Sequence, residues 1–138
     1  MKKFLRLGFL PANPDLALLV LRLVFGLSLL LLHGWGKLMR FPELSEKFAD
    51  PLGVGHQASL ILALVGEVLC PVLLVLGAAT RLAALGSGIT MGVALFLVHG
   101  LKLRGQGNGE DALVYLTAFT VLFLAGGGRY SVDGGGKA

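Results

Sequence analysis

The sequence predicts an all-α, integral membrane four-helix bundle, a single transmembrane domain over residues 1–138. Three observations predict it. First, 55% of the 138 residues are hydrophobic and only 14% charged, against about a quarter charged in a soluble domain. Second, four stretches approach the roughly 20 apolar residues that a bilayer crossing needs: 16–39, 58–76, 82–101 and 111–125. Third, stretches such as LALLVLRLVFGLSLLLL carry no polar face at the 3.6-residue period of a soluble amphipathic helix.

Each element follows in order. The opening MKKFLRLGF resembles the basic start of a signal peptide. The apolar region behind it is too long and lacks a small-residue cleavage site, so the first span is expected to be retained. That span runs from Leu16 to Met39. The link from Arg40 to Gln57 places Phe41, Leu44 and Phe48 at helical spacing with Glu43, Glu46, Lys47 and Asp50 between them. It reads either as a short amphipathic helix at the interface or as a plain loop. The second span, Ala58 to Leu76, contains Pro71 and is expected to kink there. Gly77–Arg81 is a tight turn, and Lys102–Glu110 (KLRGQGNGE) a second one. The third span, Leu82 to Leu101, carries Gly88 and Gly92, a small-xxx-small pair suited to close helix approach. Gly26 and Gly66 are assigned the same packing role. The fourth span, Asp111 to Ala125, is the shortest.

An even number of spans places both termini on one side. With the N-terminus inside, that side holds Lys2, Lys3, Arg6, Arg81, Arg129 and Lys137, and the other holds Lys37, Arg40, Lys47, Lys102 and Arg104. This small excess favours cytoplasmic termini under the positive-inside rule. The sequence pI near 9.6 does not indicate nucleic acid, because the net charge is only +4 and no basic run adjoins an aromatic platform. The single cysteine, Cys70, rules out an internal disulfide and any multi-cysteine metal or cluster site. Its plainer role is packing.

Ionisable groups within a membrane are functional candidates. Arg22 and Glu67 lie at similar depths in the first two spans, by helical rise from Leu16 and Leu76, and are expected to form an ion pair. The alternative is that such a pair only fixes helix packing. Arg22, Gly26, Leu29, His33 and Lys37 share one stripe of the first helix. His33, Lys37, His99, Glu110 and Asp111 are expected near one surface, where they could line a water-accessible vestibule able to relay protons or hold a polar headgroup. The plainer reading is that they face water and lipid headgroups. No metal is assigned, since no helix offers a close His/His or Glu-x-x-His pair. Tyr115, Thr117 and Thr120 supply hydroxyls that most simply bond within the bundle, and Trp35 is placed as an interfacial anchor.

These residues resemble a known pattern. The first helix, LRLVFGLSLLLLHGWGKL, has an arginine, a glycine and a G-x-x-K ending (Arg22, Gly26, Gly34, Lys37). The second has Glu67 followed by Gly77 and the turn residue Arg81. The tail carries G-R-x-S-x-D (Arg129, Ser131, Asp133). Over about Leu21 to Asp133 the chain resembles the DoxX family of small four-helix bacterial membrane proteins, departing from it at Cys70–Pro71, where small residues are expected. The resemblance implies a multi-pass protein of the bacterial cytoplasmic (inner) membrane. It also implies links to thiosulfate:quinone oxidoreduction, methylamine utilisation and an oxidative-stress oxidoreductase complex. No flavin, haem or iron–sulfur motif accompanies it.

Three functions therefore stand open. The first is a membrane subunit of a redox system engaging a quinone, with a partner oxidoreductase. There Glu67, His33 or His99 would exchange protons, Arg22 would hold Glu67 as the anion, and Lys37, Glu110 and Tyr115 are candidates for contacting the ligand. The second is a proton-coupled or small-molecule carrier, which would need a homo-oligomer to enclose a path. The third is a non-catalytic scaffold for a partner enzyme.

Overall fold

The structure, a computed structural model, describes residues 2–135; Lys137 and the side chains of Lys2 and Lys3, counted above for orientation, lie outside the described set. Four helices form the body: α1 (Pro14–Met39), α2 (His56–Leu76), α3 (Thr80–Val98) and α4 (Glu110–Ala125). The first three are long and apolar enough to cross a membrane. Helix α4 has 16 residues and spans about 24 Å at 1.5 Å per residue.

The boundaries have local causes. Asn13 caps α1, its side-chain oxygen accepting the Leu16 N–H at 3.0 Å, and Pro14 opens the helix where no N–H is required. α1 therefore starts two residues before the expected Leu16. α2 ends in a Schellman arrangement: Ala78 N–H reaches Leu73 O at 3.0 Å, with Gly77 left-handed at φ +71°. α3 stops at Val98, before the expected Leu101, because Gly100 and Leu101 both take positive φ and turn the chain. The 40–57 link is mostly irregular. It forms one helical turn, Phe41–Leu44, and then a loop.

Asp50 organises that loop. Its carboxylate accepts the Val54 and Gly55 N–H groups, each at 2.9 Å, and the Ser59 hydroxyl at 2.8 Å, tying the loop to the start of α2. At the other end of the bundle, the tail segment 126–135 folds back across the α2–α3 turn. Asp133 N–H bonds Gly77 O at 3.0 Å, and the Asp133 carboxylate accepts the Ala79 and Thr80 N–H groups at 2.8 and 2.7 Å. This carboxylate serves as the N-cap of α3, although it comes from more than 50 residues away. Arg129 N–H meets the Asp15 carboxylate at 2.9 Å, so the start of α1 and the tail lie at the same end of the molecule.

The core lies along α3 and α4, where Leu95, Phe119 and Leu122 are fully enclosed with Leu29 and Leu74. Helix α4 runs antiparallel along the length of α3: Arg81, at the start of α3, donates to Phe123 O at 2.8 Å and lies over its ring, while Gly109 packs on Leu95 and His99 at the other end.

Three of the helices contain a π-helical turn: Leu30–Gly34 in α1, Val65–Leu69 in α2 and Ala94–Val98 in α3. The one in α2 has a chemical cause. Pro71 has no N–H to return to the carbonyl of Glu67, and Cys70 N–H bonds Val65 O instead. The expected kink at Pro71 thus takes the form of a π-turn immediately before it. The released Glu67 carbonyl leans over Gly34 of α1, where any Cβ would overlap it. Gly34 is therefore what allows α1 to close on α2 at this level. A second close crossing joins Gly66 to Thr90 of α3, beside a 2.7 Å hydrogen bond from the Ser87 hydroxyl to Gly66 O.

The expected Gly88/Gly92 contact needs correction. Gly92 has no neighbour within 4 Å of where a Cβ would stand, and Gly88 meets only ordinary contacts at 3.9 Å. The close approaches between helices are made at Gly34, Gly66 and Gly86, with a tight contact also at Gly26, where backbone or side chains of the next helix crowd the Cβ position.

Candidate functional site

The crossing at Gly34 sets the position of Lys37, one turn later, which forms an ion pair with the carboxylate of Glu67. Glu67 is buried, at 7% side-chain exposure, and Lys37 is half-buried at 27%. Glu67 lies eleven residues into α2 from His56, roughly 16 Å along the axis, while Lys37 lies in the last turn of α1. The attraction offsets the cost of holding each charge away from water.

The expected Arg22–Glu67 pair is therefore replaced by Lys37–Glu67. The two helices are in register at Gly34 and Glu67, and Arg22 stands twelve residues earlier, roughly 18 Å up the helix axis. Equal depth, counted from the two helix ends, was a misleading measure because α1 overhangs α2 at that end. Arg22 is fully buried and spends its hydrogen bonds on main-chain carbonyls: Leu74 O at 2.9 Å, Val75 O at 3.2 Å and Tyr130 O at 2.8 Å. It fastens α1, the end of α2 and the tail together.

Beside the Lys37–Glu67 pair lies a cavity of about 440 Å³ between α2 and α3. Its polar groups are Lys37, Glu67, Ser59, Thr90 and His99; the walls are apolar, and Phe48, Ala49, Pro51 and Leu52 of the link form its roof. Two of the polar groups are already engaged: the Ser59 hydroxyl bonds Asp50, and the Thr90 hydroxyl bonds Gly86 O at 3.1 Å. His99 places Nδ1 at 2.8 Å from Gly107 O. A neutral ring in that arrangement carries its proton on Nδ1 and leaves Nε2 as an acceptor. The polar groups left to meet a ligand are thus the Lys37–Glu67 ion pair and the second ring nitrogen of His99. The cavity extends from the depth of Glu67 to the end of the bundle where His99 and the roof lie.

The structure separates the remaining candidates from this site. His33 is turned toward α4, packing edge-on against Tyr115 with ring centroids 5.4 Å apart. The π-turn Leu30–Gly34 accounts for this, since it directs Gly34 and Lys37 at α2 and leaves His33 facing the neighbouring helix. Tyr115 is buried between Phe25 and Phe119, and its hydroxyl donates to Ser28 at 3.0 Å. Glu110 and Asp111 are exposed in the first turn of α4, where negative charge suits the positive end of the helix dipole. The expected five-residue vestibule is thus reduced to Lys37 and His99, joined by Glu67. Among the described residues, no group of three His, Cys, Asp or Glu side chains is placed to hold a metal. Cys70 is buried against Gly86, and the Thr117 and Thr120 hydroxyls bond to their own helix at Leu113 O and Leu116 O. Trp35 is half exposed on α1.

The family model for DoxX matches residues 17–100, a stretch that includes Arg22, Gly34, Lys37, Glu67 and His99. The chain belongs to the DoxX family. A protein of Haemophilus influenzae, described as uncharacterized, is 32% identical over 111 residues, covering 75% of this chain and 78% of its own length. Another from the same organism, described in the same way, is 27% identical over 106 residues, covering 74% of this chain and 70% of its own. No solved structure matches. The DoxX match stops before the tail motif of Arg129, Ser131 and Asp133, whose carboxylate nevertheless caps α3 in this chain. As a helical membrane protein, this DoxX member contacts lipid through the outer surfaces of its spans.

Proposed function

We propose that this DoxX protein is the membrane subunit of a redox system and that it engages a quinone in the cavity between α2 and α3. The observation that carries this reading is the make-up of the cavity: apolar walls, with the Lys37–Glu67 ion pair and the His99 imidazole among its polar groups. Its volume, about 440 Å³, falls within the usual range for small-ligand sites. A quinone supplies two-electron chemistry in which its carbonyl oxygens gain and lose protons. Lys37 is placed to donate a hydrogen bond to a carbonyl oxygen. Glu67, ion-paired with Lys37 rather than with Arg22, and His99 are placed to relay protons between water and the quinone oxygens, which take up two protons as they receive two electrons. The cavity's extension to the His99 end supports exchange of those protons with water on one side. Electrons would come from a partner oxidoreductase. Four passes, with both termini cytoplasmic in a bacterial inner membrane, complete the reading; the shared location of the α1 start and the tail supports the even number.

The test is quinone binding and quinone-dependent turnover by the purified protein in nanodiscs, with inorganic sulfur compounds offered as electron donors. Wild type is expected to bind quinone, and Glu67→Gln to retain binding while losing at least tenfold in turnover. Absence of both binding and turnover with every donor would remove the reading. Unchanged turnover in Glu67→Gln and His99→Ala, once a partner is bound, would favour a scaffold. Proton-coupled flux in proteoliposomes that depends on Glu67 would favour a carrier.

A further inference from the structure

We infer that the ligand of this cavity is an uncharged amphiphile that arrives from the lipid, between α2 and α3, and leaves its chain at that opening while its polar head sits at Lys37 and Glu67. The inference rests on the proposal that the cavity binds a ligand, and goes beyond it in fixing the ligand's charge, its chain and its route.

The charge follows from the polar end. Glu67 and Lys37 neutralise each other, and Nδ1 of His99 is committed to Gly107 O. A head bearing net charge would enter an apolar cavity with no free counter-charge, a costly burial. A neutral carbonyl head needs only the donor and acceptors already present. This argument disfavours fatty acids and phospholipids as occupants.

The route follows from which lining residues are exposed. Leu62 and Val65 on α2 are 51% and 41% exposed, and Ile89 on α3 is 60% exposed. All three are apolar and lie on helices long enough to cross the membrane, so this edge of the cavity meets hydrocarbon. Toward the other end, Phe48, Ala49, Pro51 and Leu52 line the cavity, and Asp50 holds that segment by bonds to the Val54 and Gly55 N–H groups and to Ser59 of α2. The apolar, exposed edge between α2 and α3 is therefore the side that meets lipid. A chain lying at this opening would add buried apolar area for each methylene, which a tail-less ligand forgoes.

Three probes test the inference by titration into nanodiscs, corrected for partitioning into empty discs: a dimethoxy-benzoquinone without a chain, the same head with a decyl chain, and the same head and chain with an added carboxylate on the ring. The decyl compound is expected to bind at least tenfold more tightly than the chainless one, and the carboxylate to cost at least tenfold. Val65→Trp and Ile89→Trp narrow the opening from lipid-facing positions, so folding should be preserved, as checked by an unchanged thermal transition. They are expected to weaken the decyl compound about tenfold and the chainless compound less than threefold. Equal binding of chained and chainless compounds, indifference to both tryptophans, or equal binding of the carboxylated compound would each overturn the inference and leave the quinone reading standing. If wild type binds none of the three, both fall.

Discussion

At the scale of single residues, two positions decide whether the site exists. Gly34 touches no ligand, yet a methyl group there would overlap the Glu67 carbonyl and crowd Val68. Relief would require α1 to move away from α2, and Lys37 would move with it. Gly34→Ala is expected to cost about 1–3 kcal/mol, the usual range for forced overpacking. Gly92→Ala, with nothing within 4 Å, should be neutral within about 0.5 kcal/mol. Thermal unfolding of the two variants in the same detergent checks the contrast. Lys37 and Glu67 form the second case. Lys37→Met leaves a carboxylate buried without its partner; breaking a fully buried pair costs about 3–5 kcal/mol, and the 27% exposure of Lys37 should reduce this to about 2 kcal/mol. Adding Glu67→Gln should restore most of the loss, giving a coupling of about 1–2 kcal/mol in a double-mutant cycle. Additive losses would mean that the two side chains do not interact. The sequence made Glu67 conspicuous as a buried acid and Lys37 as the end of a G-x-x-K motif. It did not pair them, because pairing depends on the register between two helices. That register is set by the packing of Gly34 against a carbonyl displaced by Pro71, and no single-helix periodicity carries this information.

At the scale of elements, the helix ends show the same division between local and distant causes. The start of α1 lies two residues before the Leu16 expected from the apolar run, because Asn13–Pro14, a local capping signal, sets it. The end of α2 at Gly77 was visible as a turn. The start of α3 has its cap in Asp133, at the far end of the chain, and sequence reading gave that residue only as part of a tail motif. Its role makes a pH prediction. The Thr80 N–H foremost, and the Ala79 N–H and the positive charge of Arg22 with it, hold the Asp133 carboxyl below its ordinary value. A depressed carboxylate adds stability that is complete above its unfolded pKa, about 3.9, and is lost as pH falls through the folded value. Asp133→Ala should therefore lower stability at pH 7 by about 1 kcal/mol, as for other helix caps. The gap between wild type and variant should stay constant down to about pH 5 and close below pH 4. Melting temperatures of both proteins across that range provide the check. A gap that widens on acidification would show that the carboxylate form of Asp133 does not stabilise the fold.

At the scale of the whole molecule, composition alone separated membrane from soluble architecture, because a chain this apolar has too few polar side chains to cover a water-facing surface. The number of crossings is a finer matter. Three helices meet the length a bilayer demands; α4, at 16 residues, falls short of the roughly 30 Å hydrocarbon thickness. Its contacts nevertheless run from His99 at one end of α3 to Arg81 at the other, so wherever α3 crosses, α4 accompanies it. Local thinning of the bilayer, or interfacial residues reaching outward, can accommodate the mismatch at modest cost. Placement of the start of α1 beside the tail requires an even number of crossings if α1 crosses at all. This arrangement predicts opposite accessibility for Arg6, ahead of α1, and Gln106, in the α3–α4 loop, both exposed. In a background with the buried Cys70 replaced by alanine, Arg6→Cys and Gln106→Cys should react with a membrane-impermeant maleimide from opposite faces of intact cells and inverted vesicles. A cysteine at Val132, exposed in the tail, should follow Arg6. Cytoplasmic termini require the Gln106 position to react in intact cells, and the reverse pattern would invert the orientation while preserving four crossings. Labelling of Arg6 and Gln106 positions from the same face would mean that the first three helices do not all cross, and labelling of Val132 with Gln106 would mean that α4 does not.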